Sequence, residues 1–204
     1  MSGDFKNFQS SKLPEVIYCD TNIFVNALII NNRYHTPCVQ FIQRLASEQV
    51  LLVFSTLLIA ELRCAILSQY VRDKYGKDAR IMSVLKKHPQ IIKAAAPSIR
   101  KAEKDFEGIL QRFTHWSYIP VDEQVVSHSK ELMFKYQLAS YDAIHIATME
   151  IMDIKDIVVI DGGVEDIYFY KNDCSVWTVD GWERYVKRHP HNASKKNKIK
   201  AKKK

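Results

Sequence analysis

The chain lacks any segment that would carry it into or across a membrane. Its longest nearly apolar stretch, Val50 to Ala60, is interrupted by Ser55 and Thr56. It falls well short of the roughly 20 residues a spanning helix needs. The opening MSGDFKNFQSSKLP has no apolar core of the kind a secretory signal carries. Paired cysteines are missing too. Cys19, Cys38, Cys64 and Cys174 are far apart, with no C-x-x-C to hold zinc or run redox chemistry. These absences predict reduced thiols, a cytoplasmic location and no membrane partner. The sequence contains no G-x-G-x-x-G and no G-x-x-x-x-G-K-[ST], so dinucleotide and P-loop chemistry lose their signatures. The G-x-S-x-G nucleophile elbow is absent as well. A phosphotransfer D-x-D is excluded because Asp20 is followed by Thr21-Asn22. There is no internal repeat.

What remains is an ordinary soluble composition, 47% apolar and 26% charged over 204 residues, which suits one domain with an elaboration. The net charge of +7 is unevenly placed. From Lys187 onward there are nine Lys or Arg and no acid, which leaves twenty-one basic against twenty-three acidic residues in the body. The basicity belongs to the tail, and from His189 the Lys, Asn, Ser and Ala composition predicts disorder.

Two runs give the body its organisation. Val16-Ile17-Tyr18-Cys19 ends at Asp20, and Ile157-Val158-Val159-Ile160 ends at Asp161. Unbroken apolar runs of this length read as strands buried on both faces, as in a parallel sheet. Acids at the carboxyl ends of two neighbouring parallel strands would meet in one crevice. Between them, Ile23, Phe24, Ala27 and Leu28 have helical spacing, and Thr36-Pro37 opens a second helix bearing Val39, Phe41, Ile42 and Leu45. Val50 to Phe54 reads as a strand, with Ser55 or Thr56 placed to cap a helix from Thr56 to about Tyr70. Gly76 to Phe113 reads as a helical elaboration divided by Pro89 and Pro97. Ser98 would cap its last helix, whose stripe is Ile99, Ala102, Phe106, Ile109, Leu110 and Phe113. That stripe completes the core or, alternatively, offers a surface to a partner or a second copy. Trp116 to Val121 is a further strand, Asp122 caps a helix to about Tyr136, and a last strand spans Ser175 to Val179.

Four carboxylates interrupt otherwise apolar elements: Asp20, Glu61, Asp142 and Asp161. Each has a bland explanation. Asp20 or Asp161 can cap a helix, and Glu61 or Asp142 can pair with a base. Four together are harder to account for, because buried acids without counter-charge protonate or bind a metal. No basic residue interrupts an apolar stripe in the matching way. A hard divalent cation held through oxygens, Mg²⁺ or Mn²⁺, is the natural compensation. It suits phosphodiester hydrolysis. His145, three residues after Asp142, reads as a packed histidine bonded to a neighbour and stays outside the site; Tyr18 and Tyr141 read as core.

The order YCDTNIF, STLLIAEL, SYDAIHIATM and VVIDGG resembles the PIN-domain ribonucleases, closest to the VapC-like toxins of toxin–antitoxin pairs. The resemblance covers roughly residues 15 to 180, with DTNIF and DAIHIAT its most specific pieces. It implies an α/β, three-layer α/β/α domain with a central mostly parallel sheet. The implied boundaries are an N-terminal extension over 1–14, the nuclease domain over 15–186 with its helical elaboration over 76–114, and the basic tail over 187–204. It implies RNA as substrate, Mg²⁺ or Mn²⁺ as cofactor, and Asp20, Glu61, Asp142 and Asp161 as metal ligands and catalytic residues. Thr21 and Asn22 match small polar positions that hold the first ligand or the metal's waters. Lys195, Lys196 and Lys198 fit electrostatic attraction to an RNA backbone. A cognate antitoxin and a homodimer are the protein partners it admits. The departures are Val159, where the family often has Thr, and Gly162-Gly163 in place of an acidic-aromatic pair. The alternatives are a PIN nuclease of RNA processing or DNA metabolism without an antitoxin, and a degenerate PIN domain that binds RNA without cutting it.

Overall fold

The computed structural model describes residues 5–10, 12–160 and 174–179. Both apolar runs form strands, and the strands are neighbours. β2 (Val16–Cys19) pairs in parallel with β5 (Asp156–Val158), Cys19 lying opposite Val158. On its other side β2 pairs in parallel with β3 (Leu51–Ser55), and β3 pairs with β4 (Trp116–Ile119). Beyond β5 lie β6 (Ser175–Thr178) and then β1 (Phe5–Asn7), so the order is β1-β6-β5-β2-β3-β4 with every pairing parallel. Phe5–Asn7, within the segment read as an N-terminal extension, thus supplies an edge strand.

Seven helices cover this sheet among the described residues: α1 (Thr21–Leu28), α2 (His35–Ser47), α3 (Leu57–Tyr75), α4 (Ile81–Lys87), α5 (Ile91–Leu110), α6 (Glu123–Tyr136) and α7 (Ser140–Ile151). The two-residue period of a strand assigns side chains to the two faces. Ile17, Cys19, Leu52, Phe54, Val158 and Trp177 point into one core with residues of α1, α2, α3 and α5. Their alternates Tyr18, Val53, Ile157, Val159 and Val176 point into a second core with α6 and α7. This is the expected three-layer arrangement. It also explains the unbroken apolar runs, since each strand residue meets a helix on one side or the other.

The elaboration belongs to the first core. Phe106 is buried between Phe24 and Phe54, with ring centroids 5.0 and 5.7 Å away and both contacts edge-to-face. Burying such a side chain stabilises by about 1.5–3 kcal/mol, with about 0.5–1.5 kcal/mol more for each aromatic pair. Ala102, Leu110 and Phe113 join it, with Ile99 and Ile109 packed against them. The core reading of that stripe therefore holds.

Two local expectations fail. Pro89 separates α4 from α5, but Pro97 lies inside α5, so Ser98 is mid-helix and caps nothing. Pro97 faces solvent, while Ile91 and Ala95 before it and Ala102 and Phe106 after it are buried on one stripe. That continuous packing offsets the roughly 3 kcal/mol an interior proline costs. Thr56 stands at the start of α3 but makes no cap with its side chain. Its Oγ1 accepts from the Val121 amide instead, tying the end of β3 to the chain after β4.

Candidate active site

The chain runs outward from β2 to β3 and β4, then returns through α6 and α7 to β5 on the other side of β2. Strand order therefore reverses at the β2–β5 boundary, where an open parallel sheet leaves a crevice at its carboxyl end. Asp20 is the residue at that boundary. Its amide donates to the Val158 carbonyl at 3.2 Å, and its φ/ψ of −66°/152° make it the N-cap of α1. The carboxylate, however, makes no capping bond. The residue is 4% exposed, and a carboxylate so deep is costly unless its surroundings compensate it.

The compensation comes from both helical layers. Glu61 arrives on α3 from one face, and His145 on α7 from the other. His145 Nε2 lies 3.0 Å from Glu61 Oε2 and 3.3 Å from Asp20 Oδ1. Thr21 Oγ1 donates to Glu61 Oε2, and Asn22 Nδ2 donates to Asp20 Oδ2 at 3.1 Å. One ligand atom from each of Asp20, Glu61 and His145 falls within 4.8 Å of the others. Arg63, the base nearest Glu61 in sequence, turns to Glu103 at 2.6 Å.

The electrostatics follow from this crowding. Burial pushes the Glu61 carboxyl up, but the hydrogen bond and charge of His145, with the Thr21 hydroxyl, outweigh it and leave it below its ordinary value. Burial pushes His145 down, and the Glu61 hydrogen bond with the charges of Asp20, Glu61 and Asp142 more than reverses that. Asp142 is thus close enough to act on His145. It lies half-buried one helical turn earlier, in the first turn of α7. Burial, reinforced by the Asp20 charge, drives the Tyr18 hydroxyl up, so it remains a neutral phenol.

Of the four acids singled out in the sequence, the structure gathers Asp20 and Glu61 with His145, while Asp142 stands outside that compact group, one helical turn from His145 and acting on its charge. Asp161, Lys195, Lys196 and Lys198 lie outside the described residues. Asn22 bonds the Asp20 carboxylate, whereas Thr21 turns to Glu61 rather than to Asp20. His145 is the residue the sequence reading left out. It is packed and bonded as expected, but its bonds run to the acids themselves, and it is the base that interrupts an apolar stripe. The signal was its place within Ala143-Ile144-His145-Ile146-Ala147. Tyr18 is core, as read, but Tyr141 is 58% exposed beside Asp142 and is not. It precedes the inward face of α7 by a fraction of a turn.

A family model for the PIN domain matches residues 17–169. Among solved structures the chain is similar to VapBC2 from Rickettsia felis bound to a DNA fragment from its promoter. The identity is 11% and the TM-score 0.47, with 80% of this chain and 98% of that chain covered. It is also similar to VapC20 from Mycobacterium tuberculosis, a toxin that cleaves the sarcin–ricin loop. There the identity is 14% and the TM-score 0.44, with 73% and 92% covered. No curated protein matches the chain in sequence.

Proposed function

Because the chain belongs to the PIN domain family, we propose that it is a Mg²⁺- or Mn²⁺-dependent endoribonuclease acting at the cluster built on Asp20. The observation that carries this reading is a carboxylate at the topological switch point that stands at an N-cap yet caps nothing. It is held instead beside a second carboxylate and an imidazole. The carboxylate oxygens of Asp20 and Glu61, which approach within 4.8 Å of each other beside His145, are donors that suit a hard divalent cation. In this reading Asp20 and Glu61 hold the ion, and Asp142 and Asp161 are assigned to it from their motifs. Such an ion, when bound, would supply Lewis-acid polarisation of a phosphoryl oxygen and activation of a water.

The chain's own residues then have defined tasks. Thr21 and Asn22 fix the rotamers of Glu61 and Asp20 through their hydrogen bonds. The burial of Asp20 and His145 keeps bulk water from the inner side of the cluster. Lys195, Lys196 and Lys198 attract the RNA backbone without reading its sequence. A growth-arresting toxin with a cognate antitoxin is the biological role we assign, on the strength of the DTNIF and DAIHIAT motifs. No described helix is long and apolar enough to cross a membrane.

Two experiments test this. Purified protein should cut single-stranded RNA with Mg²⁺ or Mn²⁺ and stop in EDTA; cleavage that survives chelation sinks the metal mechanism. Expression in bacteria should arrest growth, with Asp20→Ala relieving the arrest. Harmless expression of an active enzyme points to a processing nuclease instead.

A further inference from the structure

Behind the carboxylates lies a polar chain that neither the motifs nor the family match assigns. Tyr18 is fully buried in the middle of β2, and its hydroxyl lies 2.9 Å from His145 Nδ1. The two rings meet edge-on, with centroids 5.9 Å apart and planes at 63°. The other ring nitrogen, Nε2, faces Glu61 Oε2 and Asp20 Oδ1. We propose that Tyr18 and His145 form a buried strut of positioning residues that holds the Asp20 and Glu61 carboxylates in place for a cation. This rests on the metal-dependent reading above.

The chemistry of the contacts fixes the direction of the strut. Both groups facing Nε2 are acceptors only when ionised, so Nε2 carries a proton and donates. Nδ1 then meets a hydroxyl that can donate to it or accept from it, so the Tyr18 contact is satisfied in either case. With both nitrogens engaged, rotation of the ring about its χ2 axis would break hydrogen bonds at both ends. His145 is 2% exposed, so no water replaces them. The carboxylates are thereby tied to a residue in the middle of the central strand. Their separation is thereby set by the sheet as well as by α1 and α3.

Outer contacts of this kind commonly change metal affinity by about 10–100-fold when removed. Mn²⁺ binding to the full chain, followed by calorimetry or by loss of the free-ion spin-resonance signal, tests it without any cleavage assay. Tyr18→Phe keeps the ring and its packing, removes only the hydroxyl, and should weaken Mn²⁺ about 10-fold. His145→Leu should weaken it toward about 100-fold, and His145→Gln, which keeps a donor, should recover part of that loss. A merely structural role would lower the melting temperature in EDTA while leaving the Mn²⁺ Kd of the folded protein alone. Parent-like or tighter binding by Tyr18→Phe and His145→Leu overturns the strut while leaving the metal site standing. If His145→Leu does not fold, Tyr18→Phe decides alone. A parent that binds no Mn²⁺ overturns the metal reading and the strut with it.

Discussion

Asp20 and Asp122 occupy the same place in the grammar of this fold. Each follows a strand directly or within three residues, each has extended backbone angles, and each is the N-cap of the next helix. Asp122 Oδ1 accepts from the Val125 amide at 3.0 Å, satisfying one of the amides that a helix start leaves without a partner. It does so while exposed to solvent. The carboxylate of Asp20, a residue 4% exposed, makes no cap to α1 and turns to Asn22 and His145. Position at a strand end therefore does not distinguish a site acid from a structural one. The difference lies in what the carboxylate accepts from and in whether solvent could have compensated it at no cost.

The same isosteric change at both positions gives the largest contrast. Asp20→Asn should lower RNA cleavage by about 100-fold or more, beyond the usual range for an outer contact. Asp122→Asn should leave kcat/KM within about twofold. Initial rates at saturating Mg²⁺, with circular dichroism to confirm folding, read both. Equal losses at the two positions would erase the distinction.

Metal-linked stability sharpens the comparison at smaller scale. At an ion concentration of about 100 Kd, the parent should gain about 2.7 kcal/mol over its stability in EDTA. Asp122→Ala should gain the same amount, because its carboxylate plays no part in binding. Asp142→Asn should gain much less. In EDTA it should match or slightly exceed the parent, since it removes one of several crowded charges. Urea melts with and without Mg²⁺ check this; an Asp142→Asn variant that responds to Mg²⁺ as the parent does would remove Asp142 from the site.

Much of this was legible because it depends on local pattern. Unbroken apolar runs at Val16–Cys19 and Ile157–Ile160 read as strands covered on both sides, and the acid ending the first, Asp20, stands at the crevice. The Asp122 cap was legible for the same reason, a local bond between residues three apart. What escaped the sequence reading required knowing which elements face each other. Pro97 looked like a boundary because its local penalty is visible, whereas the packing of Ala102 and Phe106 that holds α5 together is tertiary. The β1 strand is three residues long and gains its order from β6, some 170 positions away. His145 looked like a core histidine, and only the meeting of α3 and α7, from opposite faces, at the carboxyl end of β2 shows that its ring nitrogen lies between two acids.

The smallest effect concerns the cap itself. Asp122→Ala removes the acceptor for the Val125 amide and should cost about 1 kcal/mol. In a chain of this size that lowers the melting temperature by about 2–4 °C. Asp122→Asn retains a carbonyl oxygen that accepts the same bond, and Asn caps about as well as Asp, so that loss should be only a few tenths of a kcal/mol. What Asn gives up is the charge at the positive end of α6, worth about 0.3 kcal/mol at an exposed position and reduced further by salt. The two variants should therefore differ from each other by most of the cap and respond alike to Mg²⁺. Thermal melts at low and high salt, in EDTA and in Mg²⁺, separate the contributions. If Asp122→Ala matched the parent, the cap would be ornamental. If its cost appeared only with Mg²⁺ present, Asp122 would be coupled to the ion, and the distinction between the two aspartates would fail at its structural end.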